Sequence, residues 1–388
     1  MPAFCDISKR EQEELLIRQI EYAKANSQYY KQSLKQYSIN SLDQLPLLPF
    51  TDAECIKSEG RRFVCIPASD IKRIVTVSSS STNGPAKRIY FSRNDLERTV
   101  DFFCEGMQLM MKGKEKAAIL LENLSENGVS NTLSKGLSKF GAKPFCIGMD
   151  DPIGIISERL TQIKPDVIIG MPWLIRLLAI TNPLLKPKCV LLSADYIPEG
   201  LPAMITSIWG SKVLCHFGMT ESVYGCAVES PKSKCMLLRK NEYIAEIIDP
   251  ITNKRRAASQ AGELVLTSLR REAMPLIRYK TGDIAILNKE GNLIRILGRK
   301  DVHSDYYILE DFLSEYTPIC DFKLIKGKLT VMIFESISSQ EEKELLSKLN
   351  ELTAHMSIID NIRIDRINEK AAFLFHKGKH VKSFIHNN

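Results

Sequence analysis

Lys212-Val213-Leu214-Cys215-His216-Phe217-Gly218-Met219-Thr220-Glu221 is the stretch on which the reading of this chain turns. It opens with β-favouring apolar residues, breaks at a glycine, and sets a carboxylate just past the strand's carboxyl end. In open α/β sheets that end is where ligand-binding groups collect. A glutamate there is placed to hold a hard cation such as Mg²⁺. The alternative use of Thr220 and Glu221 is to cap a following helix.

Upstream, short apolar runs alternate with segments long enough for helices. The runs are residues 74–77, 117–121, 144–147, 166–169 and 189–192. That rhythm predicts an α/β region with a substantially parallel sheet. Residues 8–34 read as one amphipathic helix ahead of it. Downstream, residues 243–248, 263–269, 284–287 and 293–297 are closely spaced strands, read as a mostly antiparallel β-subdomain. The last ninety residues or so read as a small α+β unit. Strands over 322–325 and 329–334 flank the turn Lys326-Gly327-Lys328. A helix over 338–354 has a serine N-cap, and a strand covers 362–367.

The chain has 388 residues, room for two or three domains at roughly 100–200 residues each. Hydrophobic residues are 44% and charged residues 26%, a globular balance that excludes disordered and fibrous classes. No run reaches the ~20 apolar residues of a membrane helix. The opening residues, MPAFCDISKREQEELL, have no apolar leader core. Ten cysteines without a CxxC read as reduced thiols of a cytoplasmic protein. The net charge of +7 is spread thinly, which suits anionic ligands without marking a nucleic-acid binder.

Two further segments carry chemistry. Ser78-Ser79-Ser80-Ser81-Thr82-Asn83-Gly84-Pro85-Ala86-Lys87 follows a strand and offers hydroxyls, backbone N–H groups and a lysine to a polyphosphate. It lacks the spacing of a Walker loop. Tyr279-Lys280-Thr281-Gly282-Asp283 precedes Gly298-Arg299-Lys300-Asp301. Asp283 is suited to accept two ribose hydroxyls, with Arg299 reaching the same sugar or its phosphate.

In their order these segments resemble the core motifs of the adenylate-forming superfamily, which holds acyl-CoA synthetases, luciferases and peptide-synthetase adenylation domains. Residues 80–87 stand at the phosphate loop, 217–221 at Tyr-Gly-x-Thr-Glu, 279–283 at Tyr-x-Thr-Gly-Asp and 298–301 at Gly-Arg-x-Asp. Pro275-Leu276-Ile277-Arg278-Tyr279, Glu246-Ile247-Ile248-Asp249-Pro250 and Gly170-Met171-Pro172-Trp173 look most like the phenylacetate–CoA ligase-like branch.

The resemblance implies an α/β fold with a large N-terminal adenylate-forming domain of mixed sheets plus a β-subdomain, over residues 1–298. A small, mobile α+β C-terminal domain follows over 299–388, with its hinge near Asp301. It implies ATP-dependent activation of a small carboxylic acid, aromatic or medium-sized and apolar, to an acyl-adenylate. Thioester formation follows, with coenzyme A or the phosphopantetheine of an acyl carrier protein. ATP and Mg²⁺ are the implied cofactors; a homodimer is allowed, and neither nucleic acid nor membrane is a partner. Ser80, Ser81, Thr82, Gly84 and Lys87 fall on the phosphates, and Ser193, Ala194 and Asp195 on the adenine side. Phe217, Gly218, Met219 and Thr220 join the nucleotide site with Asp283 and Arg299. Glu221 is the Mg²⁺ ligand, and Thr220, Glu221 and a C-terminal lysine are catalytic; Lys379, after Gly378, fits that lysine best, with Lys382 and Lys377 as rivals. Trp173, His216, Tyr224 and Gly225 line the acyl pocket.

The chain departs from the pattern in its phosphate loop, where Ser81, Asn83 and Ala86 replace Gly, Thr and Pro. Asp195 replaces a glutamate. These departures motivate the alternative of a nucleotide-binding or adenylyl-transferring homologue that forms no thioester. Cys215, His216, Cys226 and Cys235 lack the pairing of a zinc site.

Overall fold

Ser8 opens the first helix: its hydroxyl accepts the Glu11 N–H while the Glu11 carboxylate accepts the Ser8 N–H. α1 (Lys9–Asn26) buries Leu16, Gln19, Ile20 and Ala23, one face at helical spacing. The single helix expected over 8–34 is broken at Ser27. Its extended backbone ends α1, and its hydroxyl accepts the Tyr30 N–H to cap α2 (Gln28–Ser33). The computed structural model describes residues 7–77, 86–122, 125–149, 151–229 and 235–367. They group into two units: Met1–Lys114, Asn123–Lys143 and Cys215–Lys300 form one, and Glu115–Glu122, Pro144–Leu214 and Asp301–Asn388 the other.

In the first unit, α3 (Ala53–Glu59) precedes an antiparallel pair, β1 (Ile71–Val77) and β2 (Lys87–Ser92). α4 (Arg93–Gln108) begins at Ser92 with a second reciprocal cap, to Asp95, and packs on α5 (Val129–Lys139). The carboxyl end of β7 (Lys212–Phe217) then leads into β8 (Ala227–Glu229), β9 (Met236–Leu238), β10 (Tyr243–Ile248), β11 (Gly262–Ser268), β12 (Tyr279–Leu287) and β13 (Leu293–Arg299). Their spatial order is β10–β11–β12–β13–β9–β8–β7, with antiparallel pairing throughout. This is the expected β-subdomain. β12 starts five residues earlier than expected, so the Tyr279–Asp283 motif lies inside the sheet.

In the second unit, β3 (Lys116–Leu120), β4 (Lys143–Cys146), β5 (Val167–Gly170) and β6 (Cys189–Leu192) stand in the order β6–β5–β3–β4. β3, β5 and β6 are parallel and almost wholly buried, as strands covered on both faces must be. Helices α6 (Ile153–Ile163), α7 (Pro172–Thr181) and α8 (Leu201–Trp209) alternate with them. The C-terminal segment contributes α9 (Ser304–Glu315), β14 (Ile319–Ile325), β15 (Lys328–Phe334), α10 (Ser339–Thr353) and β16 (Asn361–Ile367). β14 and β15 form the expected hairpin through Lys326 (φ 46°) and Gly327 (φ 75°), the two left-handed positions such a turn requires. β16 pairs in parallel with β15.

The core of this C-terminal segment takes in Trp173 from α7, whose ring meets Phe322 edge-on at 5.5 Å and whose indole N–H donates to the Cys320 carbonyl at 3.2 Å. Beside it the fully buried Arg176 guanidinium donates to the carbonyls of Ser314 (2.9 Å), Ile319 (2.6 Å) and Tyr316. Burial lowers that guanidinium to about 9.

Candidate active site

Gly218 makes the turn after β7. The chain doubles back so that Tyr224 N donates to the Met219 carbonyl at 3.0 Å and Cys226 N to Phe217 at 3.1 Å. A Cβ on Gly218 would overlap the Tyr224 carbonyl oxygen. Glu221 lies at the tip, in a single 3-10 turn, Thr220–Ser222. No α-helix starts there, so the capping use open to Thr220 and Glu221 is overturned. Val223 (φ 52°) and Tyr224 (φ 68°) both take left-handed backbone, a strain of order 1 kcal/mol apiece. Tyr224 is held in it by Arg73, whose Nε donates to the phenol oxygen at 3.0 Å, and by Phe91 against its ring.

The Glu221 carboxylate is buried. Lys87, the first residue of β2, pairs with its Oε1, and the Tyr279 hydroxyl donates to the same oxygen at 2.8 Å. Burial pushes the carboxyl up; the Lys87 charge and the bonds from Lys87 and Tyr279 outweigh it and hold the group below its ordinary value. Burial, then the charge of Glu221, drives the Tyr279 phenol well above its own. At neutral pH Glu221 is therefore a carboxylate and Tyr279 a neutral phenol. Arg271 completes it from below, donating Nη1 to the Glu221 main-chain carbonyl and Nη2 to Tyr90 O at 3.2 Å.

Asp283 and Arg299 meet on the same sheet. They are register partners across β12 and β13, and Arg299 Nη1 lies 3.2 Å from Asp283 Oδ1. Gly282 (φ 79°) lets the backbone kink there; a Cβ would stand 2.8 Å from Arg299 Nη2. His216 is buried with ring centroids 5.8 and 5.9 Å from Phe102 and Phe103. Burial, then the charge of Arg239, lowers its imidazole to about 4, so it is neutral at physiological pH. Gly225 gives Phe102 its place, since a Cβ there would enter that ring.

Of the expected site residues, Lys87, His216, Phe217, Gly218, Met219, Thr220, Glu221, Tyr224, Gly225, Asp283 and Arg299 belong to the first unit. Ser193, Ala194, Asp195, Trp173 and Asp301 belong to the second. There Ala194 is left-handed (φ 73°), and Asp195 accepts the Tyr196 N–H at 2.8 Å. Ser80, Ser81, Thr82, Gly84 and Lys379 lie outside the described residues. Two participants escaped the sequence reading. Tyr279 sat in a quoted motif with no role attached, and Arg271, fifty residues from Glu221, gave no signal at all.

No family profile matches the chain. It is 25% identical over 324 residues to phenylacetate-coenzyme A ligase from Thermus thermophilus, covering 75% of this chain and 70% of that protein. It is 24% identical over 355 residues to phenylacetate-coenzyme A ligase from Pseudomonas putida, covering 86% and 79%. Among solved structures, 2-hydroxyisobutyryl-CoA ligase in its postadenylation state, in complex with R3-HIB-AMP, superposes with a TM-score of 0.77 at 18% identity, covering 94% of this chain and 86% of that one. The chain is thus a sequence relative of phenylacetate–coenzyme A ligases, built on the fold of the adenylate-forming CoA ligases.

Proposed function

We propose that this chain is an AMP-forming acid–thiol ligase. A substrate carboxylate oxygen attacks the α-phosphorus of ATP and pyrophosphate leaves; a thiol sulfur then attacks the acyl carbon and AMP leaves. The observation that carries the reading is the pair of clusters on one unit: Lys87–Glu221–Tyr279, and Asp283–Arg299.

Each cluster has a use. Asp283 accepts the ribose hydroxyls while Arg299 holds its carboxylate in place. Lys87 brings a positive charge to the phosphate side, where negative charge moves onto the leaving pyrophosphate. Both side-chain bonds to Glu221 among the described residues fall on Oε1, which leaves Oε2 for Mg²⁺. One carboxylate plus substrate phosphates is an ordinary Mg²⁺ donor set, so Glu221 fits the ion. Bound there, Mg²⁺ would supply charge neutralisation on the phosphates. His216, Tyr224 and Gly225, backed by Phe102 and Phe91, form an apolar and aromatic wall suited to an aromatic or medium-sized acid. Trp173 is left out of that wall because its ring and N–H are committed to the second unit's core. A cytoplasmic setting supplies ATP and coenzyme A, and the nine described cysteines are free thiols.

Acid-dependent ATP–pyrophosphate exchange over a panel of aromatic and aliphatic acids tests adenylation. Coenzyme A consumption, then carrier-protein loading, tests the acceptor. Exchange with one acid class and coenzyme A turnover supports the ligase. Exchange without transfer to either thiol favours the homologue that forms no thioester. The absence of exchange with every acid refutes the proposal.

A further inference from the structure

We propose that Arg271 is a positioning residue for the Lys87–Glu221 pair. The inference rests on the ligase reading for its catalytic consequence, but its geometry stands apart from it. Arg271 is 4% exposed. Its guanidinium spans two elements that nothing in the local chain brings together. One nitrogen donates to the main-chain carbonyl of Glu221, in the turn beyond β7; another donates to Tyr90 O, in the strand that begins with Lys87. The side chain lies 5.1 Å over the Phe91 ring, and its Nε stands 3.8 Å from Asp95 Oδ2.

The residue is itself held from three directions. Gln19 of α1 donates to the Arg271 carbonyl at 2.9 Å. Asp95, fully buried, accepts the backbone N–H groups of Glu272 and Ala273, both at 3.0 Å. The following segment is pinned by Tyr30, whose hydroxyl donates to Pro275 O at 3.1 Å and accepts the Ile277 N–H at 3.1 Å. Four residues beyond Pro275 comes Tyr279, the other donor to Glu221. α1, α2 and α4 therefore hold residues 271–277, and Arg271 and Tyr279, at and just beyond that segment, hold Glu221 at its carbonyl and its carboxylate.

A planar fork presents two nitrogens at a fixed separation to two carbonyls on separate elements; a lysine ammonium carries the charge on one nitrogen without that geometry. Without the fork, β2 and the Glu221 turn are tied by the Lys87–Glu221 pair and the Phe91–Tyr224 ring contact, neither of which fixes the Glu221 main chain. A displacement on the order of 1 Å at a catalytic group costs about 100-fold in rate. Arg271 touches no reacting atom in this account, so it acts through Glu221.

The test uses the full-length chain with the substitutions R271K, E221Q and the double variant. The first readout is independent of activity: the rate at which Lys87 is acylated by an amine-reactive ester, followed by peptide mass spectrometry. R271K should raise Lys87 labelling several-fold, toward the level of E221Q, with the melting temperature within a few degrees of wild type. The second readout is acid-dependent pyrophosphate exchange. R271K should lower its kcat at least tenfold with a smaller change in the KM for ATP, and should add little to the loss already caused by E221Q. Lys87 labelling that rises in E221Q but not in R271K overturns the proposal, and so do losses that simply multiply in the double variant. A wild-type chain without exchange refutes the ligase reading while the labelling experiment still decides on Arg271. If R271K does not fold, R271Q is read in the same way.

Discussion

Asp283 and Arg299 face each other across β12 and β13, 3.2 Å apart, with the kinked Gly282 beneath the guanidinium. The pair is unequal: Asp283 is buried, while the Arg299 side chain is 46% exposed. Such a half-exposed pair contributes little to stability. Its orientation of a buried acceptor is what a ribose would use.

Asp283→Ala therefore separates binding from folding. The Kd for ATP should rise about 10- to 100-fold, corresponding to the loss of about 1.5–3 kcal/mol for bonds to a charged acceptor. The melting temperature should barely move. Calorimetric titration beside a thermal melt decides it, and an unchanged Kd removes Asp283 from the nucleotide site.

Tyr279→Phe deletes one of two bonds to Glu221 Oε1 and leaves Lys87 in place. The Glu221 carboxyl, held low partly by that bond, should titrate at higher pH. The acid limb of the pyrophosphate-exchange rate should then move to higher pH, with about 1 kcal/mol lost from stability. A pH–rate profile that superposes on wild type would separate Tyr279 from the chemistry.

His216 gives a pH signature of its own. Its imidazole titrates near 4 in the folded chain against an ordinary 6.5. Between those values the unfolded chain binds more protons, so the neutral His216 contributes to stability fully above about pH 6.5. That contribution, at most about 3 kcal/mol, is lost as the pH falls toward 4. Urea unfolding of wild type and His216→Gln at pH 7, 6, 5 and 4.5 measures it. Wild type should fall more steeply with acid than the variant; parallel slopes would contradict the buried neutral imidazole.

Gly218→Ala tests the turn that carries Glu221. The added methyl overlaps the Tyr224 carbonyl, a backbone atom with nowhere to go. A loss of about 3 kcal/mol is expected, read by chemical denaturation, together with loss of exchange activity. Gly291→Ala, where a Cβ meets nothing within 4 Å, serves as the contrast, although its φ of 67° carries some strain of its own.

Local signals carried the reading of the fold far. The hydrophobic runs located β3, β5, β6 and β10 within a residue or so, and the serine caps located α10. Where the reading erred, long-range packing decided. Tyr279–Asp283 looks like a turn because it holds Lys, Thr and Gly, yet pairing with β11 and β13 makes it strand. The α1–α2 break depends on Ser27, whose hydroxyl donates to Arg62 O at 2.8 Å, a partner 35 residues away. The site was legible as motifs and illegible as contacts. Lys87 and Glu221 were each named, but residues 134 apart give no sign of pairing, and Arg271 carries nothing that distinguishes it from other arginines.

The carbonyls around Arg176 have a consequence for how this protein can be dissected. The guanidinium has charge enough to need hydration, and its replacements for water are supplied by residues 313–319. A chain truncated ahead of Asp301 would present that cation, with the Trp173 ring beside it, at a surface stripped of those carbonyls. Such a fragment is a candidate for aggregation rather than for independent study, and the cut that a domain-by-domain expression strategy would choose first is the one this arginine argues against.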